Sequence, residues 1–363
     1  MSLPNLSLRN LNVKYPIIQG GMGIGYSNYK LAGTVAREGG IGVLSSAGAD
    51  LIVSKRHGKK LKHREAIAQD VRDAKEEGNG GVIGINIMAA LVKSWEDSIL
   101  GSMDGGVDVI ISGAGLPLTL PIIAATHPRY DEVALVPIAS SGRAFELIIK
   151  KWLKSTDRLP DAVVVEGPMA GGHLAWRNTE EVDDPKNKLE TLVLEVMEVA
   201  KRYGDIPVIA AGGVYGYEDI QSYLKMGCKA VQMGTRFLAT HESGASDTYK
   251  EAINASTKED IVLAKKPGSP CGLLFRVLKD SPFYQDALER VRAPKCTKGW
   301  LLNKKNECQA KLSNEESFCI CNGLVASSGY EKNEKELYSV GDIAYRVNET
   351  ISVKKLMSEL TNG

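Results

Sequence analysis

The stretch Val163-Val-Val-Glu-Gly-Pro-Met-Ala-Gly-Gly-His173 decides how the rest of the chain is interpreted. It opens with three consecutive β-branched valines, which are typical of a strand covered on both faces, as in a parallel sheet. Glycine and proline then interrupt regular structure between Glu166 and His173. The pattern predicts a buried strand followed by a loop that carries a titratable histidine. The carboxyl ends of strands are where α/β folds hold their chemistry.

The same unit, a short apolar run followed by an amphipathic run, recurs along the chain. Small-residue segments follow nearly every apolar run, for example Ser112-Gly-Ala-Gly115. The predicted strands are 16–19, 41–44, 82–87, 107–111, 134–138, 163–165, 207–210 and 230–233. The predicted helices are 29–38, 63–77, 89–100, 118–126, 143–154, 188–203, 217–226 and 247–255, with a further helix at 353–360.

Eight strand–helix units are the number found in a closed (β/α)8 TIM barrel, which takes about 250 residues. An open doubly wound sheet fits the same alternation. The barrel is favoured because small-residue segments follow nearly every strand and because the count reaches eight before the alternation stops. We therefore predict an α/β fold with a barrel domain at residues 1–260 and a cysteine-containing C-terminal appendage, residues 261–363, packed on the barrel.

Composition and charge exclude several classes of partner. The apolar fraction of 43% and the charged fraction of 25% are ordinary for a globular enzyme. A net charge of +1 gives no general attraction to nucleic acid or anionic lipid. Because there is no charged and apolar leader and no apolar run that could span a bilayer, we expect a cytoplasmic protein with no membrane partner.

Four of the six cysteines crowd into the late segment, at Cys296, Cys308, Cys319 and Cys321. A long chain without a secretion signal favours free thiols over disulfides. The four lack the closely spaced Cys-x-x-Cys pairs that zinc sites usually use. We therefore predict no metal here, with a metal or cluster site as the less favoured alternative.

Two glycine loops predict a phosphate site. Strand seven ends in Gly212-Gly213 and strand eight in Gly234-Thr235. In TIM barrels these two loops commonly bind phosphate, since glycine lets backbone N–H groups approach the anion. Thr235 would add a hydroxyl and Arg236 a charge. Each loop alone is more readily a tight turn than a phosphate site, but their occurrence on adjacent strands reverses this preference.

The remainder of a phosphate-bearing ligand would lie across the barrel mouth. Gly20-Gly21-Met22-Gly23 after strand one, Asn86 near the end of strand three and Gly113-Ala114-Gly115 after strand four bring backbone or amide groups towards a flat ring. Gln232 offers a side-chain amide at the end of strand eight. One phosphate, one planar heterocycle and many backbone contacts indicate flavin mononucleotide (FMN).

Six segments resemble the nitronate monooxygenase family, formerly called 2-nitropropane dioxygenases, and they occur in the family's order. They are Pro16-Ile-Ile-Gln-Gly-Gly-Met22, Gly84-Ile-Asn-Ile-Met88, Ser112-Gly-Ala-Gly115, Ala170-Gly-Gly-His173, Ile209-Ala-Ala-Gly-Gly213 and Gln232-Met-Gly-Thr-Arg-Phe237. The resemblance covers the whole barrel. Bacterial flavin-dependent enoyl-acyl-carrier-protein reductases share the barrel and nearly the same motifs, so the resemblance indicates fold and cofactor more sharply than substrate.

The resemblance implies an FMN-dependent enzyme that oxidises a nitronate, or a neutral nitroalkane, with dioxygen to a carbonyl compound and nitrite. It places His173 at the substrate carbon, where a neutral imidazole can accept an α-proton. Glu166 either orients His173 or has a structural role. The predicted cofactor-binding residues are Gly20, Gly21, Met22, Gly23, Asn86, Gly171, Gly172, Ala211, Gly212, Gly213, Gln232, Gly234 and Thr235.

Two alternatives stay open at this point. One is a flavin reductase that takes hydride from NAD(P)H and passes it to enoyl thioesters or quinones. The other is a non-catalytic flavin-binding protein. A homodimer is also left open.

Overall fold

The computed structural model describes residues 3–302 and 305–362 and contains a closed barrel of eight parallel strands. The barrel closes where strand eight pairs with strand one, with Val231 opposite Ile17. The predicted TIM barrel is therefore confirmed over an open sheet, whose outer strands would not pair. Barrel strands one to eight are Ile17–Gln19, Ile41–Ser45, Val82–Met88, Val109–Gly113, Ala134–Ala139, Val163–Glu166, Val208–Ala211 and Ala230–Met233.

Helices surround this barrel and bury one apolar face each; helix Gly142–Thr156, for example, buries Phe145, Ile149 and Trp152. None of the helices formed by the described residues is both long and apolar enough to cross a lipid bilayer. The α-helices are Tyr29–Arg37, Ala49–His57, His63–Gly78, Trp95–Gly105, Leu120–Ala124, Gly142–Thr156, Thr179–Asp183, Leu189–Arg202, Tyr217–Met226, Thr235–Leu238, Asp247–Ala255, Pro282–Leu288, Ile320–Ala326 and Val353–Asn362. Turns of 3-10 helix lie at Val92–Ser94, Pro185–Asn187, Lys258–Asp260, Gln309–Lys311 and Ala344–Arg346.

Several elements differ from the prediction, and three of these differences have a clear reason. The helix predicted at 89–100 begins at Trp95 instead, because the backbone N–H groups of Ala89 and Ala90 donate to carbonyls of the loop after strand four. Helix Ala49–His57 was not predicted, and it buries too few apolar residues to give a clear periodic stripe. The hairpin Leu6–Leu8 and Leu11–Val13 was also not predicted, and its side chains pack in one apolar cluster with residues of the barrel strands.

The chain after residue 260 is built into the loop that follows strand six. Strands Ile261–Ala264 and Phe275–Leu278 pair antiparallel, and Phe275–Leu278 also pairs with the short strand Gly172–His173. The last helix, Val353–Asn362, returns to the barrel and lies beside helices Tyr29–Arg37 and Tyr217–Met226. The domain boundary at residue 260 stays a prediction, but the segment beyond it shares a sheet with His173.

Candidate active site

The glycine loops at the carboxyl ends of the barrel strands line one cavity. Its volume is about 260 Å³, near the lower end of the range for small-molecule sites, and it is open to solvent at its mouth. The cavity lining includes Gly20, Gly21, Met22, Gly23, Gly171, Gly172, His173, Ala211, Gly212, Gly213, Gln232, Gly234 and Thr235.

Of the predicted catalytic and cofactor-binding residues, Asn86 is the one outside this lining. A Cβ on Gly21 would overlap the Asn86 side chain, so Asn86 stands directly behind that glycine. The loop Gly113-Ala114-Gly115 is also outside the lining. The carbonyls of Gly113 and Ala114 accept hydrogen bonds from the backbone N–H groups of Ala89 and Ala90. In the structure Asn86 packs behind the first glycine loop, and its contact with a cofactor stays a prediction.

The loops after strands seven and eight present backbone to the cavity. Gly212 and Gly213 have φ values of 92° and 96°, a conformation that side chains rarely adopt. At Gly234 the backbone is unstrained, and an added Cβ would meet only Met22 Sδ at 3.7 Å. The Thr235 hydroxyl accepts from the Gly341 N–H at 3.0 Å. This arrangement leaves space for an anion over both loops.

Arg236 is turned away from these loops, contrary to the role considered for it. Its guanidinium donates to the Tyr215 hydroxyl at 3.1 Å and to Glu359 at 2.7 Å, and it stacks over the Tyr215 ring. Arg236 lies outside the cavity lining, although its Nε is buried without a hydrogen-bond partner among the described residues. We therefore expect an anion at the cavity to be bound mainly by backbone N–H groups and hydroxyls.

Gln232 carries a buried acceptor without a donor. The residue is 8% exposed, and its side-chain oxygen Oε1 has no hydrogen-bond partner among the described residues. Leaving such an atom unpaired costs about 1–3 kcal/mol. Because Gln232 lines the cavity, a ligand N–H would remove that cost.

His173 is held by the C-terminal segment. Its backbone pairs with Phe275, and its ring meets the Phe275 ring edge-on with the centroids 4.8 Å apart. Its Nε2 is 2.7 Å from the Ser269 hydroxyl oxygen. Ser269, and not Glu166, therefore orients the imidazole. Sequence reasoning missed Ser269 because it lies 96 residues away and belongs to no motif.

A buried arginine fixes the loop that leads to His173. Arg276 is 4% exposed, and its Nη1 donates to the carbonyls of Pro168 and Ala170 at 2.7 and 2.5 Å. Its Nη2 lies 3.4 Å from a carboxylate oxygen of Asp342. Charge-assisted bonds of this kind are among the stronger hydrogen bonds in proteins. The C-terminal segment thus fixes both the loop and the imidazole.

Glu166 ends strand six and lines the cavity, partly buried. Burial raises the pKa of its carboxyl to about 7. In the unfolded chain a glutamate titrates near 4.3. Between these values the folded state binds a proton that the unfolded state has lost, so stability falls as pH rises from about 4.5 to 7.

We therefore expect Glu166→Gln to stabilise the protein at pH 8 and to have little effect at pH 4.5. One pKa unit corresponds to about 1.4 kcal/mol, and the partial exposure of Glu166 reduces the expected gain to about 2 kcal/mol at pH 8. Urea unfolding of the native protein and of Glu166→Gln at the two pH values measures this difference in the free energy of unfolding. An equal effect of the substitution at both pH values would contradict a raised pKa.

The outer wall of the cavity is apolar and comes largely from the C-terminal segment. Trp300, Leu301, Ile320 and Leu324 line it. Among the described lining residues there is no lysine, arginine or aspartate. Sequence reasoning did not find this wall, since its residues follow no barrel strand. The wall suits the alkyl part of a small substrate.

The four late cysteines fall in one apolar cluster with the same wall, and Cys321 itself lines the cavity. Burial raises the pKa of the Cys308 thiol to about 11, and Cys296 adds to the increase. All four are free thiols. Within residues 3–302 and 305–362, no group of three or more His, Cys, Asp or Glu side chains is placed to hold a metal ion. That these cysteines bind no metal stays a prediction.

Known proteins of similar fold share this barrel. Over 96% of the chain, FabK from Thermotoga maritima superimposes with a TM-score of 0.68 at 24% identity, and 92% of that chain is covered. Nitroalkane oxidase from Streptomyces ansochromogenes gives a TM-score of 0.67 at 20% identity, covering 96% of this chain and 95% of the other. At these identities the likeness concerns the fold.

Sequence comparison indicates the family of the chain as well as its fold. A probable nitronate monooxygenase of Staphylococcus saprophyticus is 27% identical over 277 residues, which is 70% of this chain and 73% of that protein. A probable nitronate monooxygenase of Staphylococcus aureus is also 27% identical, over 286 residues with the same coverage. The sequence model of the nitronate monooxygenase family matches residues 6–363. The chain therefore belongs to the nitronate monooxygenase family and is a flavin-dependent oxidoreductase.

Proposed function

We propose that the protein oxidises alkyl nitronates, and neutral nitroalkanes after loss of an α-proton, with FMN as cofactor and dioxygen as oxidant. The products are a carbonyl compound and nitrite. The observation that carries the proposal is the position of His173, a base held by Ser269 in a cavity lined largely by glycine backbone and apolar side chains. A small nitro compound needs such a base and little else from the protein.

The residues present fit FMN. The loops after strands seven and eight offer backbone without a competing side chain, which suits one phosphate group. Gln232 Oε1 is a buried acceptor that a ring N–H would satisfy. FMN, when bound, supplies the two-electron oxidation and the reaction with dioxygen. Gln232 and the glycine loops would hold it, and the apolar wall would exclude water from the substrate.

His173 would act at the substrate carbon as a neutral imidazole that accepts the α-proton of a nitroalkane. A positioned base of this kind contributes about 10² to 10⁴ in rate. A nitronate has already lost this proton, so His173 would contribute only position and charge to its oxidation.

Reduction by NAD(P)H is the competing activity. A dinucleotide brings a pyrophosphate, which usually requires a second anion site or a cation. Among the described residues that line the cavity, no lysine or arginine provides one. A nitronate carries one negative charge and the pyrophosphate at least two, so this lining favours the nitronate over the dinucleotide.

Two measurements test the proposal on the purified protein. We expect denaturation to release FMN, since one phosphate site is available; release of FAD would contradict the site assignment. We also expect anaerobic addition of ethylnitronate to reduce the flavin and subsequent dioxygen to reoxidise it. Rapid reduction by NADH or NADPH, with none by ethylnitronate, would reject nitronate oxidation in favour of a reductase.

A further inference from the structure

The hydrogen bond of His173 continues beyond Ser269 to a third side chain. Ser269 Oγ lies 2.7 Å from His173 Nε2 and 3.1 Å from Cys271 Sγ. The backbone N–H of Cys271 also donates to Ser269 Oγ, at 3.4 Å. Ser269 is 4% exposed, so water has little access to this oxygen. The three side chains form a continuous chain from the cavity to Cys271.

Counting protons at Ser269 Oγ restricts how this chain can be arranged. A hydroxyl has one proton to donate and two lone pairs that accept. The Cys271 N–H occupies one lone pair, which leaves one lone pair and one proton for Cys271 Sγ and His173 Nε2. One of those two atoms must therefore donate to Ser269 while the other accepts from it.

Two arrangements satisfy this count with a neutral imidazole. When Cys271 is a thiol that donates, Nε2 of His173 accepts and the ring proton lies on Nδ1. When Cys271 is a thiolate it accepts, so Nε2 must carry the ring proton and Nδ1 is left as a free base. The His173 ring lines the cavity. A thiolate can only accept from Ser269 and so holds the arrangement in which Nδ1 can take a proton from a substrate, whereas a thiol can donate or accept and allows either arrangement.

We propose that Ser269 and Cys271 form a proton relay behind His173, in which a Cys271 thiolate holds Nδ1 as the base and takes up the relayed proton. A proton that arrives at Nδ1 is balanced by transfer of the Nε2 proton to Ser269 Oγ and of the Ser269 proton to Cys271 Sγ. The relay then holds a thiol, a hydroxyl and an Nδ1-protonated imidazole. Ser269 and Cys271 are positioning residues, since neither lines the cavity.

The electrostatics of Cys271 agree with this geometry. Burial by itself raises the pKa of its thiol, but the hydrogen bond of His173, the charge that His173 carries when it is protonated, and hydrogen bonds from Ser269 and the Leu273 N–H lower it to about 7. His173 is the titratable group that acts on the Cys271 thiol, and it approaches from the strand opposite the Cys271 loop. Near neutral pH the thiol and thiolate arrangements are then both populated.

The relay depends on the proposed function only because a nitroalkane substrate would supply the proton. Its first test therefore does not measure catalytic turnover. Iodoacetamide alkylation of the FMN-loaded protein, with Cys271 followed by peptide mass spectrometry, reports the thiolate fraction as a function of pH. We expect a midpoint near pH 7 in the native protein. In Ser269→Ala and in His173→Asn we expect the midpoint to rise towards 8.5, with alkylation about tenfold slower at pH 7.

Ser317→Ala is the matched control. Ser317 is 1% exposed, its segment bridges to Gly268 beside Ser269, and its hydroxyl has no partner among the described residues. We expect it to leave the Cys271 midpoint unchanged. A native midpoint near 8.5, or a midpoint that Ser269→Ala does not move, would overturn the relay whether or not the protein oxidises nitro compounds.

Turnover provides the second test. Ser269→Ala and Cys271→Ala should each remove the step near pH 7 from the profile of kcat/KM for a neutral nitroalkane, and neither should alter the profile for ethylnitronate. Ser269→Thr retains the hydroxyl and should restore the step. Equal changes with both substrates would show that these residues only support the fold. Absence of turnover with either substrate in the native protein would reject the proposed function and leave the alkylation result to decide the relay.

Discussion

We expect His173→Asn to lose turnover of a neutral nitroalkane by about 10² or more while FMN stays bound. The reason is that asparagine cannot accept the α-proton, although its amide can still bond to Ser269 and keep strand Gly172–His173 paired with Phe275. The phosphate loops after strands seven and eight belong to different segments, so cofactor content should not change. Steady-state rates and the absorbance of bound flavin measure both quantities.

Turnover of preformed ethylnitronate should fall less in the same variant, because its α-proton is already gone and only positioning and charge stabilisation are lost. His241→Asn is the matched control: its side chain is exposed and outside the cavity lining, and it should retain both activities. Equal activity of His173→Asn and the native protein on both substrates would show that His173 has no role in catalysis. Loss of FMN would make its role structural.

The parts of the fold that repeat could be predicted, and the parts that occur once could not. Eight strand–helix units gave the barrel because each unit buries an apolar run in the same way, and the family model over residues 6–363 agrees. Helix Ala49–His57 and the first hairpin were not predicted, since neither segment shows a strong periodicity of apolar residues. Their positions depend on packing against the barrel.

The same distinction applies to the site. Glycine loops at strand ends can be located from local sequence, because a barrel brings all strand ends to one face. Ser269, Arg276 and Trp300 could not be found in this way, since their place at the cavity depends on how the C-terminal segment crosses the barrel. Arg236 stands beside the phosphate loops in sequence yet pairs with Tyr215 instead. Adjacency in sequence indicates which loop a residue belongs to, whereas its partners depend on tertiary packing.

The phosphate site can be tested at Gly234 without disturbing the barrel. We expect Gly234→Val to weaken FMN binding by at least about 10²-fold. Its φ and ψ of −106° and −75° are accessible to any residue, and an added Cβ would meet only Met22 Sδ, at 3.7 Å. The new side chain would therefore occupy cavity space and would not strain the backbone. Displacing a phosphate from two charge-assisted bonds costs about 3 kcal/mol or more, which corresponds to at least a hundredfold in affinity.

Gly216→Val is the control for this test, since Gly216 lies after the strand-seven loop but outside the cavity lining. An added Cβ there has no atom within 4 Å, although valine at this N-cap costs about 1 kcal/mol of helix stability. Gly234 is likewise the N-cap of helix Thr235–Leu238, so both variants should lose a similar amount of stability. If FMN depends on the phosphate site, Gly216→Val will retain it, whereas Gly234→Val will lose it at comparable stability. Equilibrium titration of the apoprotein with FMN, together with thermal unfolding, separates the two effects. Native affinity in Gly234→Val would place the phosphate elsewhere, and equal losses in both variants would attribute release of FMN to stability alone.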